Sequence, residues 1–400
     1  MSILQPLLRM AAIDGPVDLP ATLARLPRIR ALMSMPCASV GVGMTCRSLL
    51  AAAAEAGVQT DLHTAFFHGE RPRALGVRRS VPAAFRRLPF GLMREPALRR
   101  LHRDYLGRLE AGDVAYLWPF CPIEIYEALA ARGVTIVSEA VNTRMAVARQ
   151  ILDAAYADLG ISPGHAITEA RIAEQDRRHA LCSAIFAPSP ATENALTGTP
   201  LERRFIPTSY GCHVPARLAE RPPRADGAPV RFLFVGTAGV RKGMHHLLRA
   251  WRHAPPDTSL RIVGKIEPAI RRLFADVLDR PDVSCAGFSL DVASEYRAAD
   301  VALLPSIEEG DPIVTYEAAG HGLPVIASRM GAGRIGDETD AITIIDPAET
   351  GTFSDLIAAF AASEELRRDH GVRARAAVMN YDWSRVAPRR FARLAAYLGV

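Results

Sequence analysis

The stretch "LLPSIEEGDPIVTYEAAGHGLPVIAS" fills residues 303–328. Glu308, Glu309, Asp311 and Glu317 stand in it among small and apolar neighbours. A carboxylate taken out of water costs free energy unless something pairs with it. The segment therefore needs partners for its acids. "VALLPS" (301–306) reads as a buried strand ending at Ser306. Pro312 suits the first turn of a helix, where its missing N–H is not needed. Glu309 then falls in the loop before that helix. Glu317 lies about one and a half turns into it, on the same face as Ile313. Gly320 and Gly322 close the helix ahead of "LPVIAS", the next strand. This strand–loop–helix–strand order puts both acids at the carboxyl edge of a parallel sheet, where α/β folds bind ligands. Acids there would accept hydrogen bonds from paired sugar or ribose hydroxyls. An ordinary solvated helix face fits the same spacing.

A second stretch, "FVGTAGVRKGMHH" (234–246), points the same way. "VRFLFVG" (230–236) is a near-continuous apolar run, the pattern of a parallel strand buried on both faces. Met244, Leu247, Leu248 and Trp251 then fall at i, i+3, i+4 and i+7 of a helix. Between them lie Gly236, Thr237, Arg241, Lys242 and Gly243. Two cations beside a helix N-terminus suit a diphosphate. Neither G-x-G-x-x-G nor G-x-x-x-x-G-K-[ST] is present, so neither the dinucleotide fingerprint nor the P-loop is supported. The chain's only lysines are Lys242 and Lys265, among 48 basic residues.

The rest of the chain has the same rhythm. "RIRALMSMP" (28–36), "QTDLHT" (59–64), "DVAYLWPF" (113–120), "VTIVSEA" (134–140) and "SAIFAPS" (183–189) read as strands between helices. The polar, proline-rich "LAERPPRADGAP" (218–229) reads as a linker. Two doubly wound α/β domains are predicted. The first spans 1–222 and the second 229–383, and a C-terminal helix over 384–400 carries Pro388 at its start or at a kink. At 400 residues, two domains also match the usual domain size. No apolar run reaches membrane-spanning length, and the opening "MSILQPLLRMAAIDGP" does not read as a signal peptide. The six cysteines form no C-x-x-C pair, so they read as small buried thiols in a reducing compartment rather than a zinc site or disulfide framework.

The ordered set "RKG", "LLRAW", "RIVG", "EYRAADVALLPS", "PSIEEG", "YEAAGHGLPVIAS" and "DWS" resembles the retaining glycosyltransferases of family 4, which have the GT-B fold. The resemblance is strong over 230–385 and diffuse over 30–215. It implies two Rossmann-like domains facing a central cleft, with the C-terminal helix crossing back to the first. It further implies transfer of a sugar from a nucleotide-diphosphate sugar, UDP- or GDP-linked ahead of ADP-linked, to an acceptor hydroxyl with retained configuration. Lys242, with Arg241 beside it, would contact the diphosphate, and Glu317 the ribose. Glu309 would contact the donor sugar. Gly236, Thr237, Gly310, Asp311, Ile313 and Val314 would complete the donor site. Two features depart from the family pattern. Thr237 stands where an arginine is common, and Asp311-Pro312 stands where the family often reads Phe-Gly. Pro312 removes a backbone N–H, and Asp311 adds a negative charge where the diphosphate is expected.

No two aspartates lie two residues apart, so a D-x-D metal motif is absent and a metal-free site without a cofactor is expected. Electrostatic stabilisation of the leaving diphosphate would fall to Lys242, Arg241 and helix N–H groups. The first domain would hold a glycan, lipid-linked or small-molecule acceptor. Gly41 and Gly43 in its first βα loop, Glu139 and Asn142 are the candidate contacts on that side, with an ordinary turn equally compatible for the glycines. His245 and His246 read as packing residues. The segment 71–108 carries eleven arginines against Glu95 and Asp104, with Leu88, Phe90, Leu92 and Met93 between them. It reads either as a solvated basic surface or as a peripheral contact with the inner face of an anionic membrane. A cytoplasmic protein that does not bind nucleic acid is expected. A catalytically silent GT-B scaffold and a GT-B epimerase or phosphorylase stay open.

Overall fold

A computed structural model describes residues 18–38, 40–82, 90–218 and 227–400. The expected linker falls largely outside these residues. Two parallel sheets carry the fold. The first contains β1 (Ile29–Met33), β2 (Thr60–Thr64), β3 (Gly76–Arg79), β4 (Val114–Leu117), β5 (Thr135–Glu139), β6 (Ala184–Ala187) and β7 (Phe205–Pro207). Its spatial order is β3-β2-β1-β4-β5-β6-β7. The second contains β8 (Val230–Val235), β9 (Thr258–Val263), β10 (Val283–Gly287), β11 (Val301–Leu304), β12 (Val325–Ser328) and β13 (Thr343–Ile345). Its order is β10-β9-β8-β11-β12-β13. Chain order reverses between β1 and β4 in one sheet and between β8 and β11 in the other, which opens a crevice at each carboxyl edge.

The central strands are apolar because helices cover both of their faces. β4, β11 and β12 are buried along their whole length. The predicted helix stripe holds: Met244, Leu247, Leu248 and Trp251 are all buried in the helix Met244–Trp251. The edge strand β3 lies inside the arginine-rich segment, where sequence periodicity gave no strand signal. Its register against β2, Asp61 to Gly76 and Thr64 to Arg79, supplies the backbone partners that its polar composition did not advertise. Five of the six cysteines are buried as expected, but Cys285 on β10 is exposed.

The helix Trp383–Leu398 crosses back. It starts at Trp383, where the Asp382 carboxylate accepts from the Ser384 N–H, so Pro388 lies inside the helix. It packs on the helices Leu19–Ala24 and Gly41–Glu55 of the first domain. Val386, Phe391 and Leu394 share one apolar cluster with Ile29, Leu49 and Cys46 of the first domain and with Leu304 and Tyr316 of the second. One core therefore runs through the domain junction.

Candidate functional site

The turns after β8 and β11 meet at the switch point of the second sheet. Gly243 caps the helix Met244–Trp251 at φ 66°, and a Cβ there would lie 1.8 Å from the Pro305 carbonyl oxygen. Only glycine allows both the left-handed backbone and that approach. The Ile307 N–H donates to the Arg241 carbonyl at 3.0 Å, which stitches the two turns together. Arg241 and Lys242 are thereby delivered to Glu309.

Glu309 is 6% exposed. Lys242 Nζ pairs with its Oε1, Arg241 Nη1 lies 3.2 Å from its Oε2, and Ser306 Oγ donates to Oε1 at 2.9 Å. Burial alone would raise this carboxyl. The Lys242 and Arg241 charges and the hydrogen bonds outweigh burial and hold it below its ordinary value. The adjacent Glu308 is also buried. Its carboxylate accepts from Asn142 Nδ2 at 3.0 Å, from the Thr143 N–H at 3.2 Å and from Thr143 Oγ1 at 2.7 Å, while Arg241 Nη1 stands 3.3 Å away. Glu308 thus ties the second domain to the loop after β5. Gly310 is wedged against that same loop, since a Cβ there would lie 1.8 Å from the Val141 carbonyl oxygen.

Asp311 turns away from the cations. Its Oδ2 accepts from the Tyr210 N–H at 2.6 Å and its Oδ1 from the Arg334 N–H at 3.0 Å, and Tyr316 OH donates at 2.8 Å. Burial pushes its carboxyl up to about 6, against the pull of those hydrogen bonds. The negative charge anticipated beside the diphosphate is instead enclosed in the domain interface.

Glu317 lies on the helix Ile313–Gly320 and opens into a separate part of the junction. There a cleft holds about 460 Å³ of unfilled space, open solvent included. Met44 and His213 line it from the first domain, and Tyr296, Ile313, Glu317 and His321 from the second. Tyr296 OH donates to Glu317 Oε2 at 2.9 Å. His321 stacks on Tyr296 at 5.1 Å, with Nδ1 2.8 Å from the Glu317 carbonyl oxygen. Burial raises the Glu317 carboxyl, and the Tyr296 hydrogen bond opposes that rise. Ile313 and Glu317 share a face as the helix spacing required. Glu309 does not line this cleft. Val314 is half-buried beside Ile313, and Thr237 is exposed in the turn after Gly236.

On the first domain, two candidate contacts are corrected. Glu139 is not in the cleft. Arg390 Nη1 of the crossover helix binds its Oε2 at 2.6 Å, Tyr210 OH donates to Oε1 at 2.8 Å, and Tyr116 OH also donates to it. The buried end of β5 made that pairing necessary. Asn142 is exposed, but its side-chain amide is committed to Glu308. Gly41 is exposed at φ 56° with nothing near its Cβ position. Gly43 gives its close approach to Ala38 of its own loop, 2.5 Å from the Ala38 nitrogen. Sequence reading named Ser306 only as the end of a strand and did not single out Tyr296, Thr143 or His213. Of these, Tyr296 and Ser306 sat inside the quoted "EYRAADVALLPS".

Residues 229–362 match the family model described as Glycosyl transferases group 1. That match lies within the second domain and covers about a third of the chain. The MMP alpha-(1->4)-mannosyltransferase of Mycolicibacterium hassiacum is 30% identical over 182 residues, 42% of this chain and 44% of that protein. The chain matches such curated relatives over less than half of their length. Sucrose-phosphate synthase of Thermosynechococcus elongatus superposes with a TM-score of 0.68 at 19% identity, covering 91% of this chain and 96% of that one. Anabaena HepE, in complex with UDP and glucose, does so at 0.63 and 14%, covering 90% and 97%. The chain has the GT-B fold, and the Lys242–Glu309 pair and Glu317 lie within the matched residues 229–362.

Proposed function

We propose that this protein is a retaining, metal-independent glycosyltransferase that moves a sugar from a UDP- or GDP-linked donor to an acceptor hydroxyl in glycan assembly. The observation that carries the reading is the convergence of Lys242 and Arg241 on Glu309 at the carboxyl edge of β8 and β11, beside a cleft that holds Glu317. In this reading Lys242 and Arg241 receive the diphosphate as its charge develops on leaving. Glu317, oriented by Tyr296, accepts from the two ribose hydroxyls. Glu309 contacts the donor sugar and keeps the two cations placed. HepE, a fold neighbour, is in complex with UDP and glucose, which supports a UDP donor here.

The helix Phe90–Leu106 carries Arg94, Arg99, Arg100 and Arg103, and Leu92 on it is 78% exposed. We infer from that pairing of charge and apolar surface a peripheral membrane contact that brings the protein to lipid-linked acceptors. Leu88 lies outside the described residues. No helix among the described residues is long and apolar enough to cross a membrane.

Calorimetric titration with UDP, GDP, ADP and their sugar conjugates, in EDTA, tests the reading. Selective binding of one nucleotide, weakened at least tenfold by both Glu317→Ala and Lys242→Ala, supports it. No binding to any of them favours a catalytically silent scaffold whose donor pocket is closed. The packing of Val141 on Gly310 is the observation that favours this second reading.

A further inference from the structure

A second pocket lies on another side of the domain junction, where β7, the helix Arg329–Glu338 and the crossover helix meet. It holds about 330 Å³ of unfilled space, open solvent included. Four arginines line it: Arg334, Arg389, Arg390 and Arg393, with Thr208 and Ser209 alongside and Glu338 as its one acid.

The charges are unevenly answered. Arg390 binds Glu139 and Arg334 binds Glu193. The Glu338 carboxylate accepts from Tyr381 OH at 2.5 Å and stands 3.8 Å from Arg334 Nε. Arg389 donates from Nε to the Arg385 carbonyl at 3.2 Å and from Nη2 to the Asn380 carbonyl. No carboxylate pairs with Arg389 among the described residues. Arg390 is 1% exposed, yet its Nε has no hydrogen-bond partner there. A buried donor of a charged group without a partner costs free energy. An arginine fork is moreover built to meet an oxyanion with two parallel N–H donors.

We propose that this pocket binds a phosphate group, free or carried on a monoester. Arg389 supplies the charge at the mouth that no carboxylate answers, Arg393, whose Nη1 also donates to the Pro207 carbonyl, and Ser209 flank it, and the unpartnered Nε of Arg390 belongs to its buried wall, where Thr208 Oγ1 is already held between Arg390 Nη2 and the Ala187 carbonyl. The ligand would touch both domains and the crossover helix at once. Its binding therefore favours the arrangement in which all three meet. The site is distinct from the Lys242 turn and does not depend on the sugar-transfer reading.

The test is thermal unfolding in rising inorganic phosphate, with chloride adjusted to constant ionic strength, on the whole protein. A ligand held only by the folded state raises Tm with concentration. Wild type is expected to gain at least ~2 °C at saturation, the scale of about 1 kcal/mol in a domain of this size. Lys242→Gln should keep that gain. Arg389→Gln, a change at an exposed residue, should raise the midpoint of the gain at least tenfold, and Arg393→Gln should act in the same direction. Glycerol 3-phosphate gives the second arm. A lower midpoint than inorganic phosphate shows that the group arrives on an ester, and a higher one that it arrives free; either supports the site. Equal gains in phosphate and chloride would overturn the proposal. So would a gain that Arg389→Gln leaves unchanged, or one lost in Lys242→Gln alone, which would place the anion at the donor turn.

Discussion

The loop Glu308–Asp311 has two faces, and they solve the same problem in different ways. On one face Glu309 meets Lys242 and Arg241 and ionises more readily than a free carboxyl. On the other, two residues on, Asp311 is 5% exposed and is held by two backbone N–H groups and a tyrosine, with the Arg334 charge the weakest influence on it. Its carboxyl is pushed up to about 6. Hydrogen bonds with one weakly felt cation do not offset burial here, whereas two paired cations with a hydrogen bond do. The cation face keeps a fixed negative charge. The interface face carries a group that changes charge near neutrality. A third buried acid, Glu139, shows the paired solution at the crossover helix, where burial would lower the Arg390 pKa but the Glu139 charge raises it.

The comparison is broken most severely by removing a cation from a buried pair. Arg390→Met should leave the buried Glu139 carboxyl without its cation, at a cost of about 3–5 kcal/mol. A urea titration followed by far-UV circular dichroism reads it, and a loss below ~1 kcal/mol would mean that Glu139 does not need its partner.

Next in size is the pH response of Asp311. Its folded pKa of about 6 lies above the ordinary 3.8, so its contribution is full below about pH 4 and is lost as pH rises through 6. A shift of about two pKa units corresponds to roughly 3 kcal/mol. Asp311→Asn should be nearly flat over that window, so the stability of wild type relative to the variant should fall between pH 4 and pH 8. Parallel curves would show that the interface does not feel this charge.

On the cation face, Lys242→Ala is expected to lower kcat/KM by ~10²-fold, about 2.7 kcal/mol, once a donor is in hand. Sodium chloride up to 1 M should not restore the rate. The smallest effect belongs to Tyr296→Phe, which removes one hydrogen bond to Glu317. A net bond of about 1 kcal/mol predicts a roughly fivefold rise in the donor's KM. An unchanged kcat would identify Tyr296 as a positioning residue, and an unchanged KM would remove it from the site.

What could be read beforehand was whatever has a period or a spacing. The β8 run, the Met244–Trp251 stripe and the distance from Ile313 to Glu317 are local, and each stands where the sequence placed it. What could not be read was where a side chain spends its charge. Glu139, Asn142 and Asp311 all looked free for a ligand, because their partners Arg390, Glu308 and Tyr210 lie 251, 166 and 101 residues away in the chain. Strand β3 was hidden for a related reason. An edge strand needs only one neighbour's backbone, and "GVRR" shows no apolar alternation.

The crossover helix has one more consequence, and it concerns synthesis. Phe391, Leu394 and Ala395 complete the apolar cluster around Ile29 and Leu49, which the ribosome makes more than 300 residues earlier. Domains usually fold as they emerge. This first domain emerges with one flank uncovered and keeps it so while the whole second domain is translated. Its nascent form is thus a natural client for chaperones until the crossover helix arrives.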